Sequence, residues 1–129
     1  MDTISIAATE RSPEVLFDFA QHHMKLKGES YPEDVAAFYG PLVGALDSWL
    51  HQLDGGSVQF DIELVYFNSS SAKALMNILM LLEKAGAAGK NIIINWRYSA
   101  DDDTMQEFGE DFAEDLENVT FNLCAIEAA

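Results

Sequence analysis

The most constraining stretch of this chain is Val58–Phe67, where apolar and polar residues alternate one for one. Val58, Phe60, Ile62, Leu64 and Tyr66 fall on one side, and Gln59, Asp61 and Glu63 on the other. Side chains along a β-strand point to opposite faces in turn, so this pattern predicts a strand with one dry face and one wetter face. Two later stretches repeat it. In Asn91–Tyr98, Ile92, Ile94, Trp96 and Tyr98 oppose Asn91, Asn95 and Arg97; in Val119–Ile126, Val119, Phe121 and Leu123 oppose Thr120 and Asn122. A parallel sheet covered on both faces would show near-continuous apolar runs instead. The pattern therefore predicts a single sheet with its helices on one face and the other face partly open.

Shorter strands are expected at Ile4–Ala8, Val15–Ala20 and His23–Lys27, and helices at Glu33–Leu53, Ser70–Ala87 and Asp103–Leu116. The early strands read as a meander or hairpin. The later strand–helix alternation implies right-handed crossovers and parallel pairing. The expected fold is α/β: a two-layer sandwich with a mixed sheet of about five or six strands. The helices carry matching apolar stripes: Leu42, Leu46, Trp49, Leu50 and Leu53 on the first, and Met105, Phe108, Phe112 and Leu116 on the third. Pro41 should kink or interrupt the first helix. In the second, Leu75, Ile78, Leu79 and Leu82 can face the sheet. Met76, Met80 and Leu81 widen the apolar arc, either as core or as a docking strip, since flexible thioethers suit partner surfaces.

With 129 residues, nearly half of them hydrophobic, residues 1–129 are expected to form one folded domain. Seven Lys plus Arg stand against 22 Asp plus Glu, a formal net charge of −15. That charge repels phosphate backbones and anionic membranes, which argues against nucleic acid and favours a partner with a basic or apolar docking face. The single cysteine, Cys124, cannot make an internal disulfide and is expected to be a buried thiol in a reducing compartment. No signal peptide or spanning segment is legible, so no membrane insertion and a cytoplasmic location are expected.

Few residues offer chemistry. The acids Asp101-Asp102-Asp103, Glu107, Glu110, Asp111, Glu114, Asp115 and Glu117 read as a solvated helix face, without calcium-loop spacing. His22 and His23 precede a strand, so their rings should diverge and cannot share a metal. Neither a nucleophile–base pair nor a phosphate-binding glycine motif is present. The expectation is no metal, no cofactor and no enzymatic turnover. The informative segment is Tyr66-Phe67-Asn68-Ser69-Ser70-Ser71-Ala72-Lys73, which joins the clearest strand to the clearest helix. One of the Asn and Ser residues should cap the helix. The others lie where the helix dipole favours an anion, so the segment reads either as a redundant cap or as a phosphoserine site.

Four stretches together resemble the SiaC family of bacterial regulatory phosphoproteins: Gly28-Glu29-Ser30-Tyr31-Pro32-Glu33, Tyr66 through Met76, Asn95-Trp96-Arg97-Tyr98 and Gly109-Glu110-Asp111-Phe112. The resemblance implies a fold similar to STAS-type anti-sigma-factor antagonists and a partner-switching role. It implies a Ser/Thr protein kinase that phosphorylates Ser69 and a PP2C-type phosphatase that reverses the step. It also implies a diguanylate cyclase that the unphosphorylated form binds and activates, raising cyclic di-GMP and favouring biofilm or aggregation. Around Ser69, Tyr66, Asn68, Ser70, Ser71 and Lys73 are expected to form the switch region, and Met76 and Met80 of the docking-strip reading, with Tyr31 and Pro32, are expected at the partner interface. Two rival readings are an anti-sigma-factor antagonist, and a small-ligand or metal-binding protein or enzyme using Asp61, Glu63, Asn95 and Arg97 on the open face.

Overall fold

The structure is a computed structural model, and it describes residues 2–127. Its elements run β1 (Ile4–Ile6), β2 (Glu14–Asp18), β3 (His23–Ser30), α1 (Val35–Gln52), β4 (Ser57–Phe67), α2 (Ser69–Ala87), β5 (Asn91–Ser99), α3 (Asp103–Glu114) and β6 (Thr120–Ile126). The six strands lie in one sheet in sequence order, β1-β2-β3-β4-β5-β6. The first two pairings are antiparallel and the last three parallel, as the hairpin and crossover reading expected.

The strand order explains the one-sided helical layer. Each crossover from β3 onward steps to the next strand in the same direction. Right-handed crossovers that never reverse direction put every helix on the same face. Register confirms the dry row beneath them. Val15 pairs Leu26, Phe17 pairs Met24, Met24 pairs Phe60, Phe60 pairs Ile94 and Ile62 pairs Trp96, and every one of these is buried. Leu42, Leu46, Trp49 and Leu50 of α1, Leu75, Ile78, Leu79 and Leu82 of α2, and Met105 and Phe112 of α3 close over that row. Near Gly109 the helix approaches the sheet so closely that a Cβ would stand 2.5 Å from Trp96 Cδ1 and 2.6 Å from Leu123 Cδ2. Trp96 Nε1 donates to the Met105 carbonyl at 2.9 Å, which ties α3 to β5.

Several expectations need correction. Tyr66 does not share the dry face with Leu64. Gly28 pairs Leu64, but Glu29 pairs Tyr66, so Val65 is an extra residue in β4. Such a bulge reverses the alternation beyond it. Val65 and Tyr66 are therefore exposed, and Phe67 is buried instead. Pro41 does not interrupt α1, which is continuous from Val35 to Gln52. Gly40 and Pro41 both face solvent, so water can satisfy the carbonyl that loses its N–H partner. Cys124 is half-buried rather than buried, because β6 is an edge strand and this residue pairs with Arg97 on the open face. The helix starts are capped by Asp34 and Asp102, whose carboxylates accept from Ala37 N and Met105 N. Capping at Asp34 sets the start of α1 two residues after the Glu33 expected.

Candidate functional site

The serine-rich segment lies at the carboxyl edge of the parallel strands, where β4 turns into α2. Among its polar residues the cap is Asn68: its Oδ1 accepts from Ser71 N at 2.9 Å, and its φ of −89° and ψ of 176° are those of extended chain. The three serines that follow are thereby sorted. Ser69 and Ser70 are exposed. Ser71 is 0% exposed and points into the protein.

Ser71 is held by a chain of hydroxyls that sequence reasoning missed. Ser30, the last residue of β3, donates its hydroxyl to Ser71 Oγ at 2.9 Å. Tyr39 of α1 lies 2.5 Å from Ser30 Oγ. A serine hydroxyl has one proton, so Tyr39 must be the donor in that second bond. Burial pushes the Tyr39 hydroxyl above its ordinary pKa, against the opposing effect of Ser30, which keeps it protonated and able to donate. The Ser30 carbonyl also accepts from Asn68 N at 3.2 Å. Thus β3, α1 and the first turn of α2 are locked together beneath the exposed Ser69. The only sequence signals were a serine ending a strand and a tyrosine on the apolar side of α1.

Helical spacing places the other expected residues. Ser69, Lys73, Met76 and Met80 are spaced i, i+4, i+7 and i+11 and fall on the outer stripe of α2. Met80 is 43% exposed, whereas Met76 is half-buried against the core. At 1.5 Å per residue, Met80 stands roughly 16 Å along the helix from Ser69. Lys73 is exposed and makes no ion pair among the described residues. Tyr31 packs edge-to-face on Tyr66 with ring centroids 5.6 Å apart, and Pro32 is half-buried beside Tyr31. The bulge at Val65 is what turns Tyr66 outward to meet Tyr31. A cleft between α1 and α2, lined by Tyr39, Val43, Ser70, Lys73, Ala74 and Asn77 among others, opens next to this turn.

On the open face, Asp61, Glu63, Asn95 and Arg97 do come together, around a different centre from the serines. Asp61 is 7% exposed. It accepts from Asn95 Nδ2 at 2.8 Å and from Gln59 Nε2 at 3.2 Å, and lies 2.7 Å from His23 Nε2. Burial pushes its carboxyl up, and the bonds from Asn95, His23 and Gln59 together outweigh it, so its pKa ends below the usual range. Asn122 continues the row by donating to Asn95 Oδ1 at 3.0 Å. The two histidines diverge, as expected: His22 packs its ring on Trp49 in the helical layer while His23 reaches Asp61. No group of three His, Cys, Asp or Glu among the described residues is placed to hold a metal ion. Nor is any described helix long and apolar enough to cross a membrane.

Known proteins are similar to this chain in both sequence and fold. An uncharacterised protein of Pseudomonas aeruginosa is 32% identical over 116 residues, covering 89% of this chain and 90% of its own length. The solved structure of SiaC of Pseudomonas aeruginosa superposes with a TM-score of 0.88 at 31% identity, covering 98% of this chain and all of that one. A second structure, of the diguanylate cyclase SiaD in complex with its activator SiaC from the same organism, contains a chain that matches at TM-score 0.89 and 31% identity, covering 95% of this chain and 99% of that one. The model of the family described as SiaC family regulatory phosphoprotein matches residues 6–126, from the end of β1 to the end of β6. With sequence and fold in agreement over almost its whole length, this chain belongs to the SiaC family.

Proposed function

We propose that this protein is a phosphorylation-controlled partner-switching regulator whose unphosphorylated form binds and activates a diguanylate cyclase. Ser69 is the switch residue, phosphorylated by a Ser/Thr protein kinase and restored by a PP2C-type phosphatase. The protein works in the cytoplasm and performs no turnover of its own. The observation that carries this reading is the sorting of the serines: Ser69 is exposed at the first position of α2, and Ser71 is bonded beneath it. The likeness to an activator seen in complex with its cyclase supports the choice of partner.

The physics favours a change in binding over a change in fold. A phosphate on Ser69 would meet the positive end of α2 and could pair with Lys73 one turn on, so the protein carrying it is little perturbed. The same group inside an interface must be desolvated and paired, or it costs affinity. Each 1.4 kcal/mol of that cost is about a factor of ten in Kd. Ser70 is the competing exposed hydroxyl.

The test is to incubate the protein with its cognate kinase, map the phosphate by mass spectrometry, and measure cyclase binding and cyclic di-GMP output. Phosphate is expected on Ser69, with Ser69→Ala permanently active and phosphorylation weakening cyclase binding by about a hundredfold. Undiminished phosphorylation of Ser69→Ala, equal binding of the phosphorylated form, or cyclic di-GMP made from GTP by this protein alone would each overturn the reading.

A further inference from the structure

We propose that the free edge of β6 binds an extended, basic segment of a partner protein by strand addition. The sheet has two outer strands. At one end β1 is only three residues long, a length that offers little ladder to a neighbour. At the other, β6 pairs with β5 through seven consecutive positions with no register shift, and among the described residues its far side has no neighbouring strand. Every second residue of β6 therefore turns its backbone N–H and C=O outward.

Edge strands are ordinarily blunted by a charge, a proline or a bulge. β6, Thr120-Phe121-Asn122-Leu123-Cys124-Ala125-Ile126, contains none of these. It also presents an apolar side chain, since Leu123 is 40% exposed. This is a regular, uncharged and partly apolar ladder edge, in a chain whose formal net charge is −15.

The surroundings select the occupant. Helix α3 lies over β5 and β6, with Gly109 against Trp96 and Leu123. Phe108 turns inward to Phe67 of β4, with ring centroids 4.8 Å apart. Helical spacing then puts Gln106, Ala113 and Glu110 on the opposite flank, the one towards the free edge. Glu110 is exposed on that flank, and the exposed Glu117 flanks the start of the strand. A second copy of this chain would bring two such acidic shelves together, which like charges oppose. An extended segment alternating apolar and basic residues satisfies the ladder, covers Leu123 and neutralises the shelf. The edge lies in the α3–β6 part of the molecule, apart from the serine turn, so the inference does not depend on which serine is modified.

The test uses the full chain and synthetic seven-residue peptides matched to β6. One alternates Val and Lys, and one alternates Val and Glu. Two further Val/Lys peptides are N-methylated on odd or on even residues. Binding is read by fluorescence anisotropy, and ladder formation by hydrogen exchange across residues 120–126. The Val/Lys peptide is expected to bind, to slow exchange in β6 and to weaken as salt rises, while the Val/Glu peptide does not bind. One N-methylated peptide should lose affinity by about tenfold or more and the other keep it, because only one edge of the added strand faces β6. Leu123→Lys, checked for an unchanged melting profile, should weaken binding by a similar factor. As a second disruption, Glu110→Lys should do the same without touching the strand. Equal binding of both methylated peptides would mean charge attraction alone and would overturn the proposal. So would unaltered exchange in β6, no binding at about millimolar peptide, or a concentration-dependent dimer that already protects residues 120–126.

Discussion

Replacing Asn68 by alanine tests whether the start of α2 is held by its cap. The side chain removed is the N-cap of α2, whose Oδ1 accepts from Ser71 N at 2.9 Å. Loss of an Asn cap costs about 0.5–2 kcal/mol in general. The cost here should reach the upper part of that range or beyond. Ser71 is 0% exposed, so water cannot easily replace the lost acceptor, and leaving a buried donor unpaired costs about 1–3 kcal/mol. We therefore expect Asn68→Ala to lose about 2 kcal/mol in urea unfolding, with an unchanged m-value. For a chain of this length that corresponds to a fall in Tm of roughly 6–12 °C. Asn68→Asp keeps an acceptor and adds a negative charge at the positive end of the helix. It should remain within about 1 kcal/mol of wild type, on the stable side at low salt. Urea melts of the three proteins at two ionic strengths decide the matter. If Asn68→Ala loses less than about 0.5 kcal/mol, or if Asn68→Asp is as unstable as Asn68→Ala, the cap does not hold the turn and the account of Ser71 fails.

Asp61→Asn should cost about 1–3 kcal/mol at neutral pH, because it removes the charge facing His23 and turns one acceptor into a donor. Asp61 titrates below an ordinary aspartate near 3.8, so its contribution is complete above that value and lost as the pH falls through the depressed folded pKa. Urea melts from pH 7 down to pH 3 should show wild type converging on the variant only at the acid end; a gap independent of pH would refute the assignment. Gly109→Ala should destabilise by about 1–3 kcal/mol through overpacking, since the new methyl meets the Trp96 ring and the Leu123 side chain. A Tm equal to or above that of wild type would show that α3 is free to lift away from the sheet.

Much of this protein is legible without coordinates. The alternation in β5 and β6 and in the first two-thirds of β4, together with the stripes on the three helices, is sufficient for a one-sided sheet, because pleat and helical period are local properties of the backbone. The same local logic located a capped, serine-rich helix start at Asn68–Ser71. What local pattern cannot carry is pairing between distant strands and helices. The bulge that turns Tyr66 outward arises where β4 meets β3, and it breaks an alternation that the sequence continues through Tyr66. Three adjacent serines look equivalent in one dimension. They are distinguished only when Ser30 and Tyr39, from two other elements, close over Ser71 and leave Ser69 outside. Asp61 and His23 belong to one row only because β3 and β4 pair in parallel at the observed register. Local periodicity thus determined the layers of this fold. Contacts between residues far apart in the chain decided which hydroxyls face solvent, which carboxylate is buried and which strand edge is left free, because each is a choice of pairing partner that no short window of sequence contains.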